Sequence, residues 1–240
     1  MGLAATGGTS VDLHVLSAGA AQGLVNALQE EFRAATGANL TATFGAVGAI
    51  KEKLAAGEPC DVVILTAAMI AEMEADGRVV AGTSVQLGRV RTGIAVREGE
   101  PVPAIADGVA LRDTLLAATG IYFPDPERAT AGIHFVKVLT KLGIHDVVAP
   151  RFMPFPNGAT AMRALAQATE PGIVGCTQIT EIRYTRGVVL VGPLPADFEL
   201  ATVYTAGVCA SATEPECARR FVATLTGKSA HALRAAGGFE

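Results

Sequence analysis

Residues 11–37 read VDLHVLSAGAAQGLVNALQEEFRAATG, and this stretch decides the fold class. Val11 to Leu16 has the apolar character of a buried strand and ends at the small-residue turn Ser17-Ala18-Gly19. Leu24, Leu28 and Phe32 then recur at helical spacing, and Gly37 stands where a left-handed residue closes a helix. The unit repeats twice. Leu40 to Phe44 alternates as a strand, Gly45 and Gly48 bracket a turn, and Ile50 and Leu54 mark the next helix. Asp61 to Leu65 is an apolar strand of the kind covered on both faces, and a helix begins over Met69 to Met73. Three strand–helix units in a row predict a parallel sheet wrapped by helices.

Downstream the pattern changes. Arg89 to Val96 reads as a strand with no immediate helix, followed by the polar, Pro-containing stretch Glu98 to Pro103. Strand Gly120 to Phe123 with helix Ala131 to Leu142, then strand Phe152 to Phe155 with helix Ala159 to Ala168, resume the alternation. Gly172 to Cys176, Val188 to Val191 and Leu200 to Val208 are further strands, and Pro215 to Leu225 is an amphipathic helix. The long strands near 88–97 and 199–208 are natural crossovers between two lobes. Residues 1–88 plus 199–240 are expected to form one lobe and residues 89–198 the other. Each lobe is expected to be a mostly parallel sheet flanked by helices.

Composition narrows the function classes. Of 240 residues, 50% are hydrophobic and 18% charged, which is a globular balance. A formal charge of −4 argues against nucleic acid, whose phosphates need a basic surface. No apolar run reaches the roughly 18 to 20 residues of a membrane span. The start MGLAATGGTS lacks the basic and apolar regions of an export signal. The protein is therefore expected to be cytoplasmic if Met1 is native, and periplasmic if a signal was removed. Cys60, Cys176, Cys209 and Cys217 show neither CxxC nor metal spacing, and read as buried thiols with pairing left open. No metal or organic cofactor is implied, because no His, Cys or carboxylate cluster has ligand spacing and no phosphate-binding fingerprint occurs.

Several predicted helices begin at loops of small residues: Ser17 to Ala21, Gly45 to Gly48, Ala129 to Gly132 and Asn157 to Thr160. In a parallel sheet such loops lie at the carboxyl ends of strands, where ligands bind. Their backbone N–H groups and the helix dipoles favour a compact anion. Candidate contacts are Ala20, Ala21, Gln22, Val47, Gly48, Thr130, Ala131, Asn157 and Gly158, with Thr177 and Gln178 after the Gly172 strand. Arg91, Arg128 and Lys51 lie near these loops and could meet a carboxylate. His134 follows the Ala131-Gly132 helix start by less than a turn, and an imidazole of pKa about 6.5 suits proton transfer. Tyr204 lies on the second crossover and is the candidate acid or donor, whereas His14, inside the first strand, reads as core.

These residues also carry a resemblance. Ser17 to Phe32, Phe44-Gly-Ala-Val-Gly48, Gly57 to Ile64, Asp125 to Gly132, Lys141-Leu-Gly143, Gly172-Ile-Val174 and Gly237-Gly-Phe239 resemble the molybdate-binding proteins of ABC transporters. The resemblance implies the type II periplasmic-binding-protein fold: two lobes, two crossover strands and an anion in the cleft between. Where that family uses two serines, this chain has Ala20 and Val47, and the family's cleft tyrosine falls on Gly175, while Ala131 is kept. An emptier cleft suits a larger organic anion. Gly172 to Ile182, Gly192 to Pro195 and Thr202 to Gly207 are similar to a branch that includes bacterial aconitate isomerase. That branch implies cis/trans isomerisation of a small unsaturated di- or tricarboxylate by allylic proton transfer. The alternative is a solute-binding protein for an organic or molybdate-like anion, partnered by an ABC permease if exported. A regulator's sensor domain shares the fold, but would need a DNA-binding module for which there is no room before Val11 or after Phe239.

Overall fold

The computed structural model describes residues 11–240, and the reading of residues 1–10 lies outside the described residues. Strand β1 (Asp12–Ala18) alternates at its start and is then buried on both faces from Val15 onward. A short turn, Gly19–Ala21, leads into α1 (Gln22–Thr36), which buries Leu24, Val25, Leu28 and Phe32. Gly37 closes that helix at φ 74°, its N–H bonding the Arg33 carbonyl, the left-handed cap its position predicts. Next come β2 (Asn39–Gly45), α2 (Val47–Ala55), β3 (Val62–Thr66) and α3 (Ala67–Ala75). The second half runs β4 (Val85–Arg97), α4 (Gly108–Ala117), β5 (Gly120–Pro124), α5 (Thr130–Lys141) and α6 (His145–Val148). It continues through β6 (Phe152–Phe155), α7 (Gly158–Gln167), β7 (Ile173–Gln178), α8 (Ile179–Tyr184) and β8 (Val188–Pro193). Strand β9 (Ala201–Val208) and helices α9 (Pro215–Thr226) and α10 (Lys228–Gly237) close the chain.

The strands form one curled path, β2-β1-β3-β9-β4-β7-β5-β6, with β8 paired to β4. Pairs β1–β2, β1–β3, β5–β6 and β5–β7 are parallel, and every pair made by β4 or β9 is antiparallel. The sheet is therefore mixed, parallel on its two flanks and antiparallel where the chain crosses between lobes. Strand β4 belongs to both lobes: Val85 to Arg91 pair with β9, and Thr92 to Arg97 with β7 and β8.

Each lobe has a core on both sheet faces. In the first, Phe32 of α1 meets Phe221 of α9 edge-on at 5.0 Å, over Leu13, Val15 and Val62. The opposite face packs Ile50, Ile70 and Met73 against Val63 and Leu65. In the second, Phe123 and Phe135 meet at 5.5 Å beside Leu111 and Leu115, while Met162, Leu165 and Ile182 cover the other face. Each such fully buried side chain contributes about 1.5–3 kcal/mol of transfer free energy.

Asp61 ties the first lobe together. Its carboxylate accepts from the backbone N–H of His14 at 2.8 Å and of Thr213 at 2.7 Å, and from the Thr213 hydroxyl at 3.1 Å. The His14 ring lies 3.5 Å from the same carboxylate and is 37% exposed, so it is a rim residue and not core.

Candidate active site

The carboxyl ends of the parallel strands from both lobes face one another across a narrow cavity of about 20 Å³, room for about one water, so the emptier cleft expected from the sequence is not what the closed lobes leave. One wall is made by Ala18 to Ala20 after β1 and Gly45 to Val47 after β2. The other is made by Pro124 and Ala129 to Ala131 between β5 and α5, and by Asn157 and Gly158 at the start of α7. Gln178 and Glu181, at the β7–α8 junction, and Tyr204 of β9 form the floor. Helices α2, α5 and α7 thus aim their N-termini at the cavity, and the Asn157 side chain caps α7 by accepting from Thr160 N–H at 2.9 Å. The lining contains no Lys or Arg side chain.

The charge in this cavity is Glu181. Its side chain is fully buried, and one carboxylate oxygen accepts from the Thr177 hydroxyl at 2.5 Å. Backbone N–H groups of Ala159, Gln178 and Gly158 also reach it. Burial pushes its pKa above the usual carboxylate range, and these donors only partly pull it back. The carboxylate lies where two glycines leave room. A Cβ at Gly19 would stand 2.4 Å from Oε1, and one at Gly158 would stand 2.0 Å from Oε2. Glu181 therefore sits against the backbone of both walls, at the N-terminus of α7, as an acidic group supplied by the chain itself.

Two further polar groups face it. Tyr204 is buried, and burial first, then the nearby Glu181 charge, pushes its hydroxyl pKa far up, opposed by Thr130 and Gln178. It stays a neutral phenol, a donor, throughout the working pH range. The Gln178 amide is 3% exposed, and neither its oxygen nor its nitrogen has a hydrogen-bond partner of normal geometry. With only the Tyr204 hydroxyl beside it, this buried amide has hydrogen-bonding capacity left for a polar group in the cavity.

Of the residues singled out from the sequence, the structure brings Ala20, Val47, Thr130, Ala131, Asn157, Gly158, Gln178 and Tyr204 together on the cavity. Ala21 is buried behind the turn, and Gln22 opens α1. Gly48 and Arg128 stand at the rim and join the lobes: Gly48 N–H donates to the Arg128 carbonyl at 3.0 Å, and the guanidinium pairs with Glu52 at 3.4 Å. Arg91 pairs with Glu240 at 2.5 Å, away from the cavity. His134 also lies outside it, with Nε2 2.7 Å from the Phe198 carbonyl. Thr177 acts through Glu181, and Lys51 is exposed and does not line the site. Sequence reasoning missed Glu181. The signal available was an acidic residue in the first turn after a strand end, a common pattern that points nowhere by itself. Among the described residues there is no group of three His, Cys, Asp or Glu placed to hold a metal, and no helix long and apolar enough to cross a membrane.

Comparison with known proteins adds lineage. Residues 13–240 match the family described as bacterial extracellular solute-binding protein. An aconitate isomerase from a Pseudomonas species is 29% identical over 227 residues, covering 91% of this chain and 83% of that one. The periplasmic molybdate-binding protein of Azotobacter vinelandii superposes with a TM-score of 0.76 at 20% identity, covering 95% of this chain and 98% of the other. A sulfate-binding protein of Mycobacterium tuberculosis gives 0.73 at 19% identity, covering 95% and 86%. At such identities the two structures speak for the fold, which is the type II binding-protein fold that the sequence resemblance implies.

Proposed function

Because the chain belongs to the bacterial extracellular solute-binding protein family, we propose that its cleft takes a small unsaturated di- or tricarboxylate and isomerises it by moving an allylic proton. The observation that carries this reading is Glu181: a buried carboxyl group of raised pKa, facing a cavity lined by helix N-termini. A protein built only to hold an oxyanion gains nothing from a second negative charge in its site. A proton-transfer enzyme needs such a group. The relative that is an aconitate isomerase points the same way.

In this reading the substrate carboxylates lie on the N-termini of α2, α5 and α7, which hold negative charge without cationic side chains. Glu181 takes a proton from the methylene carbon beside the double bond. The electron pair delocalises into a dienolate, and the Tyr204 hydroxyl and the Gln178 amide donate to its developing oxyanion. The proton returns to the former vinylic carbon, and the double bond reforms one position along with the other geometry. His134 supports α5 through Phe198 in this scheme and is not the base. The lobes, residues 1–88 plus 199–240 and residues 89–198, part to admit substrate, with β4 and β9 as the hinge.

Family membership favours a second reading: a periplasmic solute-binding protein that passes an organic anion to a membrane permease. Proton NMR of cis- and trans-aconitate with the protein in D₂O separates the two. The enzyme reading expects interconversion, with Glu181→Gln at least about 100-fold slower. Ligand line-broadening without turnover would replace it with the binding-protein reading. Neither signal would reject this substrate class.

A further inference from the structure

Away from the cleft, two thiols touch. Cys60 lies just before β3 and Cys209 just after β9, 149 positions apart in sequence, with their Sγ atoms 3.3 Å from each other. The backbone around them is firmly placed. Cys209 N–H donates to the Asp61 carbonyl at 2.9 Å, and the antiparallel register of β3 and β9 starts at the adjacent pair Val62–Val208. Asp61, beside Cys60, is itself held by His14 and Thr213. Both thiols belong to the buried core under α3, and Cys60 also lines a second cavity of about 500 Å³ between the 57–61 loop and Ser211 and Thr213. Cys60 is 7% exposed and borders this cavity, its thiol donating to the Val62 carbonyl at 3.3 Å, and Cys209 stands next to it at 4% exposure.

We propose that Cys60 and Cys209 are a redox pair that closes to a disulfide when a small disulfide is available as oxidant, stapling the start of β3 to the end of β9. With oxidised glutathione as that oxidant, deprotonated Cys60 attacks one sulfur, forming a mixed disulfide and releasing one glutathione thiolate. Cys209 then loses its proton and attacks Cys60 Sγ, forming the Cys60–Cys209 bond and expelling the second glutathione. Two protein thiols are oxidised, and one glutathione disulfide is reduced to two thiols. The contact between the thiols, then burial, holds Cys60 protonated well beyond the ordinary thiol range, so closure is slow at neutral pH and faster in alkali. Closing so long a loop restricts the unfolded chain strongly.

The test uses the full chain with oxidised glutathione at alkaline pH, an alkylating quench in denaturant so that buried thiols are labelled, and peptide mass mapping. The expected product is a Cys60 peptide linked to a Cys209 peptide, with Cys176 and Cys217 alkylated. The melting temperature should rise by roughly 5–10 °C and return when a reductant is added. Cys209→Ser should stop at the glutathione adduct on Cys60 and show no rise. Four alkylated cysteines, a persistent adduct on wild-type Cys60, or a link involving Cys217 would each overturn the proposal. Because the map is read on the wild-type protein, it decides the matter even if the variant folds poorly.

Discussion

Replacing Gly19 by alanine tests the placement of Glu181 most sharply. The added methyl carbon would meet Glu181 Oε1 at 2.4 Å, and its next neighbours are Glu181 Cδ at 3.5 Å and the Gly45 carbonyl at 3.8 Å. Unforced carbon–oxygen contacts lie near 3.3–3.6 Å, so the carboxylate must retreat by about 1 Å. That movement breaks the 2.5 Å bond from Thr177 or a backbone N–H bond to the same carboxylate. Bonds to a charged group contribute about 1.5–3 kcal/mol each, so with one bond broken the variant should lose about 1.5–3 kcal/mol. Gly19 has no positive φ, and alanine in an ordinary conformation stabilises by roughly 0.4–1 kcal/mol. The same change in a Glu181→Ala background should therefore be neutral or mildly favourable. Urea denaturation of the four proteins, followed by circular dichroism because the chain has no tryptophan, gives the coupling energy directly. If Gly19→Ala costs the same in both backgrounds, the carboxylate does not face the cleft wall and the proposed base is misplaced.

Three other outcomes are expected. Asp61 has its pKa lowered: burial raises it, but the bonds from His14, Thr213 and Glu214 together outweigh burial. Its contribution is present above the ordinary carboxyl range and is lost as pH falls through the lowered value. Asp61→Asn should cost about 2–3 kcal/mol at neutral pH and flatten the acid limb of a urea-midpoint profile; an unchanged limb would disprove the assignment. Glu181 has the opposite sign: its raised pKa makes stability decline as pH climbs from the ordinary carboxyl range through the folded value. Glu181→Gln should remove that decline, which pH-dependent thermal melts would show. Tyr204→Phe should keep the fold while slowing aconitate turnover about 100-fold, as loss of one oxyanion donor does; full activity would remove the phenol from the mechanism.

Much of the architecture was legible because its signals are local. The Leu24, Leu28, Phe32 spacing, the Gly37 cap and the apolar run of β3 each declare an element within a few residues. The four small-residue loops were legible for the same reason, and residues from each line the cavity. Four helices went unread. Helix α4 is cut off by the polar segment before it, although Asp107 caps it by accepting from Ala110 N–H at 2.9 Å. Helix α8 is six residues long, too short for periodicity, and it carries Glu181. The importance of that carboxylate depends on Gly19 and Gly158, which approach it from distant parts of the chain. Arg91 and His134 were misleading for a related reason. Charge and pKa mark a residue as capable, but only the tertiary fold shows that Glu240 and Phe198 already occupy it.

The place of β3 in the sheet also bears on how the protein is made. Its two neighbours are β1, already synthesised, and β9, which begins only at Ala201. The elements from the second half of β4 to β8 instead form an unbroken stretch of chain that can pack among themselves as they emerge. Until β9 arrives, the Val62–Leu65 edge, wholly buried in the finished molecule, waits unpaired for on the order of ten seconds of synthesis. An apolar open edge of that kind templates association with other chains. The N-terminal half is therefore where newborn copies should aggregate first, and where a chaperone or slower, cooler expression should raise the soluble yield most.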